Sequence, residues 1–132
     1  MIVDTNVLVR AAVDDDPKQT ERARILMREA ERLFVSSLTF CEFAWVVGRI
    51  YRKSASEISA TIRLLISDRK VVYDRAAIEA GLSFLDAGGD FADGVIVFEG
   101  RRLGGEIFAT FDRKAAAIVE SAGRACLLLS AE

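Results

Sequence analysis

Four acidic residues of this 132-residue chain stand where apolar runs break or end: Asp4, Glu42, Asp93 and Asp112. Asp4, with Thr5 and Asn6, interrupts a β-branched run formed by Ile2, Val3, Val7, Leu8 and Val9. Asp and Asn are depleted in strands, so this insertion costs local stability. Each acid has a purely structural reading as well. Asp4, Asp93 and Asp112 suit turns or helix caps, and Thr39-x-x-Glu42 fits a capping box. Gathered in one pocket, four carboxylates cannot all stay ionised without compensation. A hard divalent cation supplies that compensation, and an all-oxygen ligand set suits Mg²⁺ or Mn²⁺. Such ions act on phosphate esters by orienting the substrate and activating a water for in-line attack.

The elements that must position these acids alternate along the chain. Residues 1–10 read as a first strand, and Asp14-Asp15-Asp16-Pro17 as a solvated acidic loop leading to a helix. Ala23, Leu26, Met27 and Ala30 fall at i, i+3, i+4 and i+7, the spacing of an amphipathic helix. Leu33-Phe34-Val35 is a short strand, and the hydroxyls of Ser36-Ser37 suit a helix start. The helix from Leu38 to about Arg52 is apolar nearly all round, which implies burial on every side or a covering partner. Ser54-x-x-Glu57 is a cleaner capping box and opens a helix with Ile58, Ile62 and Leu65 on one face. A strand at Val71-Val72-Tyr73 precedes a helix from about Asp74, which Gly88-Gly89 ends.

Propensity alone makes Gly94-Val95-Ile96-Val97-Phe98 a strand, although Asp90 as N-cap and Asp93 at N3 would equally suit a buried helix. Ile107 to Phe111 is a strand, a helix follows Asp112 to about Ala122, and Cys126 to Leu129 is a final strand. This alternation predicts one α/β domain over 1–132, a central parallel sheet flanked by helices on both faces. In such folds ligands sit at the carboxyl ends of the strands.

Composition narrows the chemistry. With 52% hydrophobic residues the chain lies far from the disordered regime and can bury a sizeable core. A net charge of −2 gives no global attraction to nucleic acid, so a polyanion would be held by local Arg clusters or by metal. There is no His, which removes Ser-His-Asp and Cys-His catalysis and His-ligated zinc together. Cys41 and Cys126 form no C-x-x-C pair and are expected to be reduced thiols. No run reaches bilayer-spanning length and the start lacks a signal-peptide pattern, so a soluble, cytoplasmic protein is expected.

Four motifs occur in order: V-D-T-N at Val3 to Asn6, S-S-L-T-F-C-E at Ser36 to Glu42, D-F-A-D-G-V-I at Asp90 to Ile96, and A-T-F-D-R-K at Ala109 to Lys114. This ordered set resembles the PIN-domain ribonucleases, specifically the VapC toxins of bacterial and archaeal toxin–antitoxin pairs, and the resemblance spans essentially the whole chain. It implies that Asp4, Glu42, Asp93 and Asp112 form an acidic metal site for Mg²⁺ or Mn²⁺, with Asn6 and Thr110 as supporting polar residues and Asp90 as a peripheral acid or cap. It also implies a helix for the Asp93 segment, with a small apolar residue where Gly94 and Glu99 stand. The activity implied is hydrolysis of an RNA phosphodiester, with no side chain an obvious general base. Arg10, Arg113 and Lys114 adjoin the motifs and are candidate phosphate contacts, with ordinary surface charge the alternative.

The resemblance further implies a homodimer and a toxin–antitoxin hetero-oligomer. The antitoxin groove expected here includes Ile25, Phe43 and Trp45, since apolar and aromatic anchors serve helix-in-groove recognition. Two other readings stand beside this one. A catalytically silent PIN-like binding module would keep the fold without cleavage. A Mg²⁺-dependent phosphoacceptor domain would need an acceptor Asp on a central strand, and no Asp occurs between Asp16 and Asp68.

Overall fold

The computed structural model describes residues 1–130; the last two residues of the expected 1–132 domain lie outside the described residues. The chain forms two compact units, Met1–Arg75 and Ala76 onward. Every strand pair in either unit is parallel. Together with the seven helices among the described residues this gives the α/β class that the alternation predicts.

The first unit holds α1 (Thr5–Ala12), α2 (Pro17–Glu29), β1 (Leu33–Phe34), α3 (Ser37–Arg49), α4 (Ala55–Ile66) and β2 (Val71–Val72). β1 is its central strand. Leu33 and Phe34 pair with Val71 and Val72, and Ile2 bridges to Phe34 on the other side. Val3 N–H donates to the Phe34 carbonyl at 3.0 Å, and Val35 N–H to that of Val72 at 3.0 Å. The core is built from Val3, Leu8, Leu33, Phe40, Phe43, Val47 and Ile62, all buried. The ring of Tyr73 meets that of Phe40 edge-on at 6.0 Å.

The expected first strand is corrected here. Only Ile2 forms a bridge, and Val7, Leu8 and Val9 belong to α1. Asp4 is extended, at φ −79° and ψ 157°, and its Oδ1 accepts from Thr5 N–H at 2.7 Å. The helix it caps buries Leu8 and Val9, so tertiary burial overrides the β-preference of the valines. The capping box expected at Thr39 and Glu42 is also absent. Ser36 is the N-cap, its Oγ accepting from Thr39 N–H at 3.2 Å, which leaves Glu42 in mid-helix. Ser54 and Glu57 do form the reciprocal box, with both bonds at 3.1 Å. Asp16 caps α2, with Pro17 in its first turn.

The second unit holds α5 (Arg75–Asp86, beginning at the boundary), α6 (Phe91–Arg102), β3 (Ile107–Thr110), α7 (Arg113–Ser121) and β4 (Ala125–Leu128). Its strands pair from Ile107 opposite Ala125 to Thr110 opposite Leu128. Phe84, Ala115 and Val119 form a buried cluster against which Val97, Phe108, Ile118 and Cys126 pack. The Gly94–Phe98 run is helical, against its strand propensity. Asp90 caps it by accepting from Ala92 N–H at 3.2 Å.

α5 and α6 cross at glycines. A Cβ on Gly94 would lie 2.5 Å from the Ala80 carbonyl and 2.9 Å from Gly81 Cα, and one on Gly81 would lie 2.6 Å from the Phe91 ring. Gly94, where the resemblance implied a small apolar residue, is therefore required by backbone contact. Cys41 and Cys126 are half-buried and form no disulfide. Among the described residues no helix is long and apolar enough to cross a membrane.

Candidate functional site

Each unit carries two of the four predicted acids. In the first, Asp4 follows directly on the Ile2 bridge, at the carboxyl end of that segment. Asn6 is exposed in the opening turn of α1. Glu42 is exposed on α3, which Ser36 starts at the carboxyl side of β1. With the capping box absent, its carboxylate has no cap to serve.

In the second unit the local structure does more. Thr110 ends β3, and its Oγ1 accepts from Asp112 N–H at 3.0 Å, fixing the turn that presents Asp112. Asp112 Oδ1 then accepts from Lys114 N–H at 2.9 Å and Ala115 N–H at 3.1 Å, capping α7. Both bonds fall on one oxygen. Asp93 lies in the first turn of α6, half-buried. Partial burial lifts its carboxyl above the ordinary aspartate value, and the charges of Asp90 and Asp112 push it the same way. Among the described residues no ion pair reaches Asp90, Asp93 or Asp112. The second unit thus holds a small set of carboxylates that repel one another without a cation.

Among the described residues no three acids stand in a metal-ligating arrangement. The donors nevertheless fit a hard divalent ion in chemistry: all are oxygens, and the negative field at Asp93 is what such an ion would neutralise.

The cationic candidates divide. Arg113 and Lys114 open α7 and are exposed beside Asp112. Arg10, in the last turn of α1, is engaged: its guanidinium donates to Asp15 Oδ1 at 2.6 Å. Tyr51 Oη donates to Asp15 Oδ2 at 2.7 Å. This Arg10–Asp15–Tyr51 group is invisible to sequence reasoning because Tyr51 lies 36 positions from Asp15 and no local pattern joins them. The expected groove residues differ in exposure. Phe43, at 3% exposure, packs in the core of the first unit. Ile25 is half-buried. Trp45 is 54% exposed and shares α3 with Leu38, 68% exposed, so α3 is apolar on two sides with one side uncovered.

Comparison with sequence families matches the PIN domain over residues 1–120. The chain is a PIN-domain protein. PIN domains are in general metal-dependent nucleases, and membership suggests a nuclease-type activity in that general sense. Comparison with individually characterised proteins finds no match. PIN membership removes the phosphoacceptor alternative, and the N-terminal placement of Asp93 on α6 agrees with the helix that the resemblance implied.

Proposed function

We propose that this PIN-domain protein is an endoribonuclease toxin that uses Mg²⁺ or Mn²⁺ to hydrolyse RNA phosphodiester bonds in the cytoplasm. The observation that supports the reading is the PIN-domain match over residues 1–120, with Asp93 in the first turn of α6, its carboxyl raised by partial burial and by the charges of Asp90 and Asp112. By the motif resemblance, Asp4, Glu42, Asp93 and Asp112 are the residues proposed to hold the metal. When bound, the ion supplies Lewis acidity and a water of lowered pKa. The chain's own residues do the positioning. Thr110 fixes the turn at Asp112, and Asp90 fixes the start of α6 beneath Asp93. Arg113 and Lys114 are placed to grip a flanking phosphate; Arg10 would have to leave Asp15 to do so. Asn6 is proposed as a supporting polar residue.

The proposal includes a cognate antitoxin. The exposed side of α3, with Leu38 and Trp45, supports docking of an apolar antitoxin segment, and the pair would form a hetero-oligomer built on a toxin homodimer. Trp45→Ala is expected to weaken antitoxin binding by about tenfold or more while RNA cleavage stays unchanged, as for an exposed aromatic hot spot. The activity itself is tested by incubating RNA with the protein in Mg²⁺ and in EDTA. Cleavage that survives EDTA, or no cleavage in either, removes the reading; the second result favours a silent binding module.

A further inference from the structure

α5, α6 and α7 of the second unit border an open hollow of about 300 Å³ that the acidic site does not use. Phe84, Val97, Phe98 and Ile118 supply its apolar walls, Ser83 a hydroxyl, and Arg101 and Arg124 two guanidinium groups; no carboxylate lines it. Both arginines also border a neighbouring hollow of about 150 Å³, but there Glu106 joins them. An anionic ligand is therefore directed to the larger space. Among the described residues neither Arg101 nor Arg124 makes an ion pair, so their charge is uncompensated by protein. The Arg102 guanidinium lies 4.6 Å from the centroid of the Phe98 ring, which forms part of the wall.

We propose that this hollow is a subsite for one nucleotide of a single-stranded RNA, its base against the apolar wall at Phe98 and its phosphate on Arg101 and Arg124. The inference rests on RNA being the substrate. Three features select a nucleotide. The volume sits at the lower edge of small-ligand pockets, roughly 300–1,000 Å³, and suits one compact group rather than an extended peptide. Apolar and aromatic walls beside Arg are how unstacked bases of single-stranded RNA are held. Lastly, Asp93, Val97 and Arg101 fall at i, i+4 and i+8 on α6, one stripe of the helix. Arg101 is thus about 12 Å from Asp93 along the axis, at about 1.5 Å per residue. A strand with a phosphate at Asp93 has a track along α6 to the hollow, so the subsite would read a nucleotide flanking the cleavage point.

The test measures binding of a fluorescently labelled, short, mixed-sequence single-stranded RNA by anisotropy across a salt series. The Asp93→Asn protein is used so that the probe stays intact. Arg101→Ala with Arg124→Ala should weaken binding at least about tenfold, the usual effect of removing charge-assisted hydrogen bonds. It should also reduce the slope of log affinity against log salt by about 0.7, the value for one phosphate of a single strand left without its cations. The double Lys variant should keep the salt slope. Ser83→Glu, at an exposed helix position, should weaken binding with both arginines in place and covers the case in which the double Ala variant does not fold. Unchanged affinity and slope in folded variants overturns the subsite, as does an acidic peptide that displaces the RNA and binds more tightly. The two readings fail separately. Arginine-dependent binding with no cleavage by the native protein keeps the subsite and removes the nuclease. Cleavage with arginine-independent binding does the reverse.

Discussion

In the first unit Asp15 receives a hydrogen bond from the Tyr51 hydroxyl and an ion pair from Arg10; in the second, Asp93 faces Asp90 and Asp112. The same side chain is driven in opposite directions. Tyr51 foremost, then Arg10, holds Asp15 below the ordinary aspartate value, whereas burial and two like charges hold Asp93 above it. A compensated carboxylate ties α1, the acidic loop and the end of α3 together. An uncompensated one stores repulsion that a cation would relieve. The motif resemblance singles out Asp93 and says nothing of Asp15, and under the proposed function the electrostatic setting would separate a metal-holding acid from a structural one.

The largest test of this contrast is Asp93→Asn. If Asp93 serves a metal that lowers the barrier by several kcal/mol, RNA cleavage in Mg²⁺ should fall at least about a hundredfold, since about 1.4 kcal/mol is a factor of ten. Melting temperature without metal should rise, because the substitution removes the repelled charge. A variant that cleaves at the native rate would place Asp93 with Asp15 among structural acids.

Metal linkage comes next. Mg²⁺ at about a hundred times its Kd should stabilise the native fold by about 2.7 kcal/mol. Thermal melts would show this as a rise of several degrees that Asp93→Asn abolishes and Asp15→Asn leaves intact. Equal responses in the two variants would break the contrast.

Gly94→Ala follows in size. Its methyl would press on the Ala80 carbonyl across the α5–α6 crossing, so a loss of about 1–3 kcal/mol in urea unfolding is expected, the usual cost of overpacking. Glycine at this position lets α6 approach closely while carrying Asp93 one residue away. A neutral result would mean that the helix can shift and that Asp93 is held less firmly than its burial implies.

The same residues mark how far local pattern reaches. The Ser54–Glu57 box, the Asp90 cap and the strands at Leu33, Val71, Ile107 and Cys126 rest on contacts or propensities within a few residues, and such features are legible in sequence. The start of the chain misleads, because Val7, Leu8 and Val9 have strand propensity, yet a cap at Asp4 and burial of one face make a helix. The Gly94–Phe98 run is ambiguous for the same reason, and motif order rather than propensity resolves it. Phe43 and Trp45 lie two apart on one helix and are both aromatic; only three-dimensional packing sends one to the core and the other to the surface. The acids are legible as motifs. Their electrostatic difference is not, since it depends on Tyr51 for Asp15 and on the turn at Thr110 for Asp112.

The smallest effect lies in pH dependence, where the two acids should carry opposite signs. Asp15 has a folded-state pKa below its ordinary value of 3.8, so its contribution to stability is present above that value and is lost as pH falls through the lowered one. Asp93 has a folded-state pKa above 3.8, so its charge destabilises the fold at neutral pH, and this penalty disappears as pH falls through the raised value. Acid titration of stability, followed by circular dichroism in the absence of metal, should therefore separate the variants. Asp15→Asn should lower stability at neutral pH and flatten the loss on the acid side of 3.8, with Tyr51→Phe acting in the same direction because its hydrogen bond is the leading cause of the shift. Asp93→Asn should raise stability at neutral pH, and its advantage over the native protein should shrink as pH falls through the raised pKa. The Asp15 change is small because the group is exposed and salt screens it, so adding salt should erase it first. If Asp15→Asn instead raised stability at neutral pH, the Arg10–Asp15–Tyr51 group would be no tie at all, and Arg10 would be free for the phosphate role expected from its place beside the first motif.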